Sequence, residues 1–140
     1  MSGEYVIQVA RGKAGWSALA AEIGELSASA EAPNPYFSPD WLESWSSQVG
    51  LAYNPVLLTV REPEGRLSGF WPFVETPAIL GSGLWPMGYH ASDYLDPVAR
   101  TREPALRVTL VEGLSQLLEE YRFIWLPLLR KSFAQDFFRP

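Results

Sequence analysis

Most of the side chains that could do chemistry fall in one short stretch. Tyr89, His90, Asp93, Tyr94 and Asp96 lie in a loop that ends at Pro97. His90 is the only histidine of the chain and stands three residues ahead of Asp93. An imidazole there could take a proton from an attacking amine or hydroxyl near neutral pH. A lone loop histidine is more often a surface or hydrogen-bonding residue. Asp93 and Asp96 could flank a substrate amine or hydroxyl. Aspartate in turns also accepts backbone N–H bonds, and for Asp96, just before proline, that is the simpler reading. Asp93 is therefore the expected proton acceptor, with His90 beside it and Tyr94 as a contact residue. One histidine and no cysteine leave too few ligands for a zinc site, so no metal is expected.

A second group is aromatic. Tyr36 and Phe37 precede a helix start and are expected to be free to touch a sugar or a peptide. Trp41 is a further candidate contact residue, although its i, i+4 spacing with Trp45 favours core packing. Ser38 reads as a helix cap rather than a nucleophile, because no base is near it in sequence. The one Gly-rich candidate for a phosphate cradle is Leu80-Gly81-Ser82-Gly83-Leu84-Trp85-Pro86. A cradle needs such a loop to enter a helix, with backbone N–H groups aimed at the anion. Pro86 points to no helix, and a bent strand near a sheet edge is the better reading.

The surrounding elements must hold these residues. Tyr5 to Val9 reads as a strand, and Trp16 to Leu26 has helical apolar spacing. Ser27 to Asn34 reads as a loop. Ser38-Pro39-Asp40 is a strong helix start, with Trp41, Leu42 and Trp45 expected on one side and an end near Val49. Pro55–Arg61 and Leu67–Glu75 read as a hairpin across the turn Glu62–Arg66. Pro72 marks an edge, a bulge or a point where the strand leaves its neighbour. A short irregular strand is expected within Ile79–Gly88. Pro104 opens a helix with Leu106, Leu110, Leu114, Leu117, Leu118 and Tyr121 along its stripe. Phe123–Leu126 is a last strand, and residues 127–140 form a tail with a helical Leu128–Phe138. The order β-α-α-β-β-β-α-β predicts an α/β (α+β) fold, a mixed, mostly antiparallel sheet flanked by helices.

Composition narrows the classes. A chain of 140 residues, 47% apolar and 19% charged, suits a single globular domain over 1–140. Its net charge of −5 argues against non-specific nucleic-acid binding. Arg122, Arg130, Lys131 and Arg139 read as a solvated rim. No stretch reaches 18 uninterrupted apolar residues, so no membrane span is expected. With no cysteine and no leader pattern at Met1–Glu4, a cytoplasmic location is expected.

Three ordered segments resemble one family. Asn34-Pro35-Tyr36-Phe37-Ser38-Pro39-Asp40-Trp41-Leu42-Glu43-Ser44-Trp45 is similar to the "NPF-S-WL-W" segment of the cellulose-biosynthesis (CelD/BcsL) acetyltransferases. Gly65-Arg66-Leu67-Ser68-Gly69-Phe70-Trp71-Pro72-Phe73 resembles their glycine hairpin, and Asp93-Tyr94-Leu95-Asp96-Pro97 their "DYlDpl" loop. That family belongs to the FemAB-like, double-GNAT branch. The resemblance implies a GNAT-like N-terminal half. In such enzymes substrate lies between two halves and the second half usually holds the acyl donor. Acyl-CoA is implied by the resemblance alone. Two functions follow. The first is acceptor binding for acyl transfer to a polysaccharide precursor, an amino sugar or a similar metabolite. The second is a non-catalytic binding or assembly module. It would form a homodimer or pair with a second GNAT half through exposed apolar groups such as Phe133, Phe137 and Phe138.

Overall fold

A computed structural model describes residues 4–48, 54–76, 81–89, 92–130 and 133. The chain opens with β1 (Val6–Arg11) and α1 (Gly12–Ser29), followed by a single 3-10 turn over Pro35–Phe37 and by α2 (Pro39–Gln48). β2 (Pro55–Arg61) and β3 (Leu67–Glu75) come next, then β4 (Gly83–Pro86), the short β5 (Val98–Ala99), α3 (Pro104–Leu117) and β6 (Phe123–Ile124). The mixed, mostly antiparallel sheet flanked by helices is the architecture expected from the sequence. The last strand ends two residues earlier than expected, and β5 was not foreseen. Val49, Gly50, Ile79, Leu80 and most of the tail lie outside the described residues.

The strands run in the order β1-β2-β3-β4-β6, with β5 paired to β3. β1, β2, β3 and β4 are successively antiparallel, while β4 and β6 are parallel. Parallel neighbours need a long crossover, and the chain between them carries α3. β4 thus has partners on both sides instead of lying at an edge.

Pro72 sits where the edge of β3 changes partner. Gly69 and Phe70 pair with β5, and Phe73 to Glu75 pair with β4. The N–H and C=O of a strand residue point to the same side. The donor that Pro72 lacks would face this gap, and its carbonyl there accepts from Met87 N at 3.0 Å. The proline is the point of departure its sequence position suggested.

α1 and α3 both pack on β2 and β3. Every residue from Val56 to Val60 and from Leu67 to Val74 is buried, so both faces of the hairpin are covered. α1 contributes Leu19, Ile23 and Leu26, and α3 contributes Leu106, Leu110, Leu114 and Leu117. Gly113 lets α3 approach the sheet closely, since a Cβ there would stand 2.6 Å from Leu58 Cδ1. Arg100 leaves β5 and is almost wholly buried; it donates to the Leu67 carbonyl, to both Glu25 carboxylate oxygens and to Ser29 Oγ. It clamps α1 onto the hairpin.

Candidate functional site

Two chain segments run side by side to make the site. Ala32 and Ala99 form an antiparallel bridge, and Glu31 N donates to the Arg100 carbonyl at 2.9 Å. Beyond this seam the chain from Pro33 to Trp41 faces the loop from Ser92 to Pro97. Asn34, buried at 2% exposure, joins them. Its Nδ2 donates to the Asp96 carbonyl at 2.8 Å and to the Tyr94 carbonyl at 3.4 Å. Its Oδ1 accepts from Tyr36 N at 3.0 Å and starts the 3-10 turn. One buried amide thereby fixes both halves of the site, which is what a satisfied polar group in a core does best.

The turn and α2 then aim the aromatic residues. Ser38 Oγ accepts from Trp41 N at 3.4 Å and its carbonyl from Leu42 N at 3.0 Å, so Ser38 caps α2. Leu42 and Trp45 turn into the core, while Trp41 stays 38% exposed. The three do not share one side as expected. The Trp41 indole N–H donates to Ser92 Oγ at 3.3 Å, and Ser92 Oγ donates to the Gly88 carbonyl at 2.9 Å. Gly88 has φ 81°, and a Cβ there would lie 2.8 Å from Ser92 Oγ, so only glycine suits both demands.

Tyr36 and Asp93 meet at the surface. The phenol donates to Asp93 Oδ2 at 2.7 Å, a length typical of a charge-assisted bond. This bond, with some loss of solvent, holds the Tyr36 hydroxyl above its ordinary pKa. The Tyr36 ring meets Trp41 edge-on at 5.5 Å and Tyr94 edge-on at 5.2 Å. Edge-to-face pairs stiffen such a cluster. The result is a rigid aromatic platform with a carboxylate at its rim.

Asp96 does not cap a turn. It is 4% exposed and pairs with Arg130, whose Nε lies 2.9 Å from Oδ2 and 3.1 Å from Oδ1. Arg130 also donates to the Pro33 carbonyl at 3.2 Å, and its guanidinium stands 4.2 Å from the Tyr94 ring centre, a cation–π distance. Arg130 is therefore structural rather than part of a solvated rim. Leu128, at φ 61°, bends the chain so that its carbonyl accepts from Leu95 N at 3.1 Å. The indole N–H of the buried Trp71 donates to the Leu95 carbonyl at 3.0 Å. The loop is held from three directions.

Among the candidates, Tyr36, Trp41, Asp93 and Tyr94 come together, though they are 57 residues apart at the Tyr36–Asp93 bond. Phe37 does not join them. It is wholly buried, edge-on to Phe70 at 6.5 Å, because the 3-10 turn sends neighbouring side chains to opposite sides. His90 lies outside the described residues. Phe133, expected exposed, is buried edge-on to Trp71 at 5.6 Å. Asn34 and Arg130 were missed: the first looked like part of a loop and the second like a surface charge.

The Gly81–Pro86 segment does not fit an acyl-CoA pyrophosphate. Gly83 N donates to Thr76 Oγ1 and its carbonyl accepts from Thr76 N at 2.9 Å, as β4 requires. Those backbone groups serve the sheet and open no helix. Among the described residues no group of three or more His, Cys, Asp or Glu is arranged to hold a metal ion, and no helix is long and apolar enough to cross a membrane. No protein-family profile, curated protein or solved structure matches the chain.

Proposed function

We propose that this chain is the acceptor-binding half of a GNAT-like acyltransferase, acting in the cytoplasm on a saccharide that carries a free amine or hydroxyl. The Tyr36–Asp93 bond within the aromatic platform is the observation that supports it. Aromatic faces hold the apolar faces of a sugar ring, and a rim carboxylate accepts from its hydroxyls or amine. Asp93 spends one oxygen on Tyr36 and keeps other lone pairs for the acceptor. In the transfer step Asp93 takes the proton from the attacking amine or hydroxyl, and Tyr36 steadies the carboxylate. His90, in the same loop, is the second proton acceptor proposed. The donor belongs on a second GNAT half, since the Gly-rich segment here is spent on the sheet.

Calorimetric titration with glucosamine tests this reading. Saturable binding is expected for the wild type, with affinity lowered about tenfold by Asp93→Asn and by Trp41→Phe. Wild-type protein that gives no saturable heat at millimolar sugar would sink it.

The second reading is a non-catalytic module that pairs with another copy or another GNAT half. Trp125 and Phe123, both more than a third exposed beside the two-residue edge strand β6, favour it. Sedimentation over a wide concentration range decides it: a monomer throughout rules out self-association.

A further inference from the structure

Tyr36 and Trp41 make a corner. Their rings stand 80° apart with centres 5.5 Å from each other. Trp41 is 38% exposed and Tyr36 is half-buried, so the corner meets solvent. The exposed Asp93 carboxylate stands at its rim, fixed by the bond from the Tyr36 hydroxyl. Aromatic faces carry negative potential and attract a cation within about 6 Å of the ring centre. A phenol that donates to a carboxylate gains electron density in its ring, which deepens that potential at Tyr36. Trp41 spends its indole N–H on Ser92, so what it offers a ligand is its ring. Tyr94 buttresses Tyr36 edge-on, and Tyr94 itself already holds a cation, the Arg130 guanidinium at 4.2 Å. Asp96 balances that guanidinium, so Arg130 adds no net charge to the corner. The sequence around the site agrees. Residues 14–60 and 67–99, which carry Tyr36, Trp41 and Asp93, contain no lysine and no arginine. Asp40 and Glu43, both exposed on α2 on either side of Trp41 in sequence, add further negative charge.

We propose that this corner is a cage for an organic ammonium group, held by the rings of Tyr36 and Trp41 and by the Asp93 carboxylate. The two kinds of contact differ in what they read. The rings attract positive charge whether or not the nitrogen carries hydrogen. Asp93 accepts an N–H through the lone pairs that Tyr36 leaves. A neutral hydroxyl gains only the second contact, so the cage selects by charge. The inference deepens the acceptor-binding reading and rests on it only for the sugar that carries the ammonium. Of the amine and the hydroxyl acceptors, it selects the protonated amine. An N-acylated amine carries no charge, so the cage holds product more weakly than acceptor.

Chemical-shift titrations at fixed ionic strength test the cage, read at the Asp93 and Tyr94 amides. Choline is compared with its neutral carbon analogue, in which a tert-butyl group replaces the trimethylammonium. Choline carries no N–H on its nitrogen, so it isolates the contribution of the rings. It is expected to shift both amides saturably, with the neutral analogue bound about tenfold more weakly. Glucosamine is expected to bind about tenfold more tightly than glucose or N-acetylglucosamine. Trp41→Leu is expected to weaken choline about tenfold, and Trp41→Phe less. The comparisons between ligands use the wild type, so they decide the matter even where a variant is unstable. No saturable shift with choline, equal binding of choline and its neutral analogue, or equal binding of choline by Trp41→Leu and wild type overturns the proposal. Glucose bound as tightly as glucosamine also overturns it, and leaves the sugar reading in place. Choline bound without glucosamine keeps the cage and counts against the sugar reading alone.

Discussion

Asn34 and Arg130 do more for the site than any residue that touches solvent on the platform. Asn34→Ala leaves the Asp96 carbonyl and the Tyr36 N–H without their partners. It is expected to lower unfolding free energy by about 2 kcal/mol, read from urea denaturation. Arg130 and Asp96 form a lopsided pair, with side chains 39% and 5% exposed. Arg130→Ala strands a buried carboxylate and is expected to cost about 3 kcal/mol. Asp96→Ala leaves a guanidinium that water can reach, so its loss is smaller. Equal losses would mean that Asp96 is solvated in solution. Asp93, Tyr36, Trp41 and Tyr94 could be picked out in the sequence as polar and aromatic residues in or beside loops, and the structure brings the four together. The supports were not legible. A buried asparagine looks like any loop asparagine until its partners, some 60 residues on, are placed, and an arginine near a chain end looks solvated until Asp96 is found beneath it.

At the scale of elements, periodicity and caps carried most of the information. α2 begins at Pro39 behind the Ser38 cap, and α3 begins at Pro104, both as their sequence signals predict. β5 was not readable, because two residues held by β3 and a bridge to Ala32 leave no alternation to see. The close approach of α3 at Gly113 is open to test. Gly113→Ala gains about 1 kcal/mol of helix propensity but drives a methyl into the buried Leu58. A net loss of about 1–2 kcal/mol is expected. A stabilised variant would show that the helix can lift off the sheet.

The ion pairs that tie α1 to the rest set an acid limit. Glu22 is held below its ordinary value of 4.5 by its hydrogen bonds with Arg61, and Glu25 likewise by Arg100. A depressed carboxyl contributes stability above its unfolded pKa and loses it as pH falls through the folded one. Melting temperature should therefore hold down to about pH 5 and fall below it. At the alkaline end Tyr5, pushed up to about 12 by burial and by its bond to Glu103, acts the other way. Its contribution is full below the ordinary value of 10.0 and disappears as pH rises toward 12. Glu22→Gln should flatten the acid limb, and an unchanged limb would assign the pH dependence to other groups.

For the molecule as a whole, the sheet and its helices form a scaffold with the candidate chemistry at one seam. That seam lies where the segment before α2 meets the segment before β5, far apart in sequence and joined by Asn34. The aromatic platform stands on this seam, with Tyr36 from the first segment bonded to Asp93 from the second. The indole N–H of Trp41 reports on that surface directly, because it already donates to Ser92 Oγ and stands beside Tyr36. The decisive measurement follows this single resonance in a titration of the wild type and of Tyr36→Leu with glucosamine. The account predicts a saturable shift in the wild type and a much weaker one in the variant. A resonance that does not move at saturating sugar, or moves equally in both proteins, would contradict it.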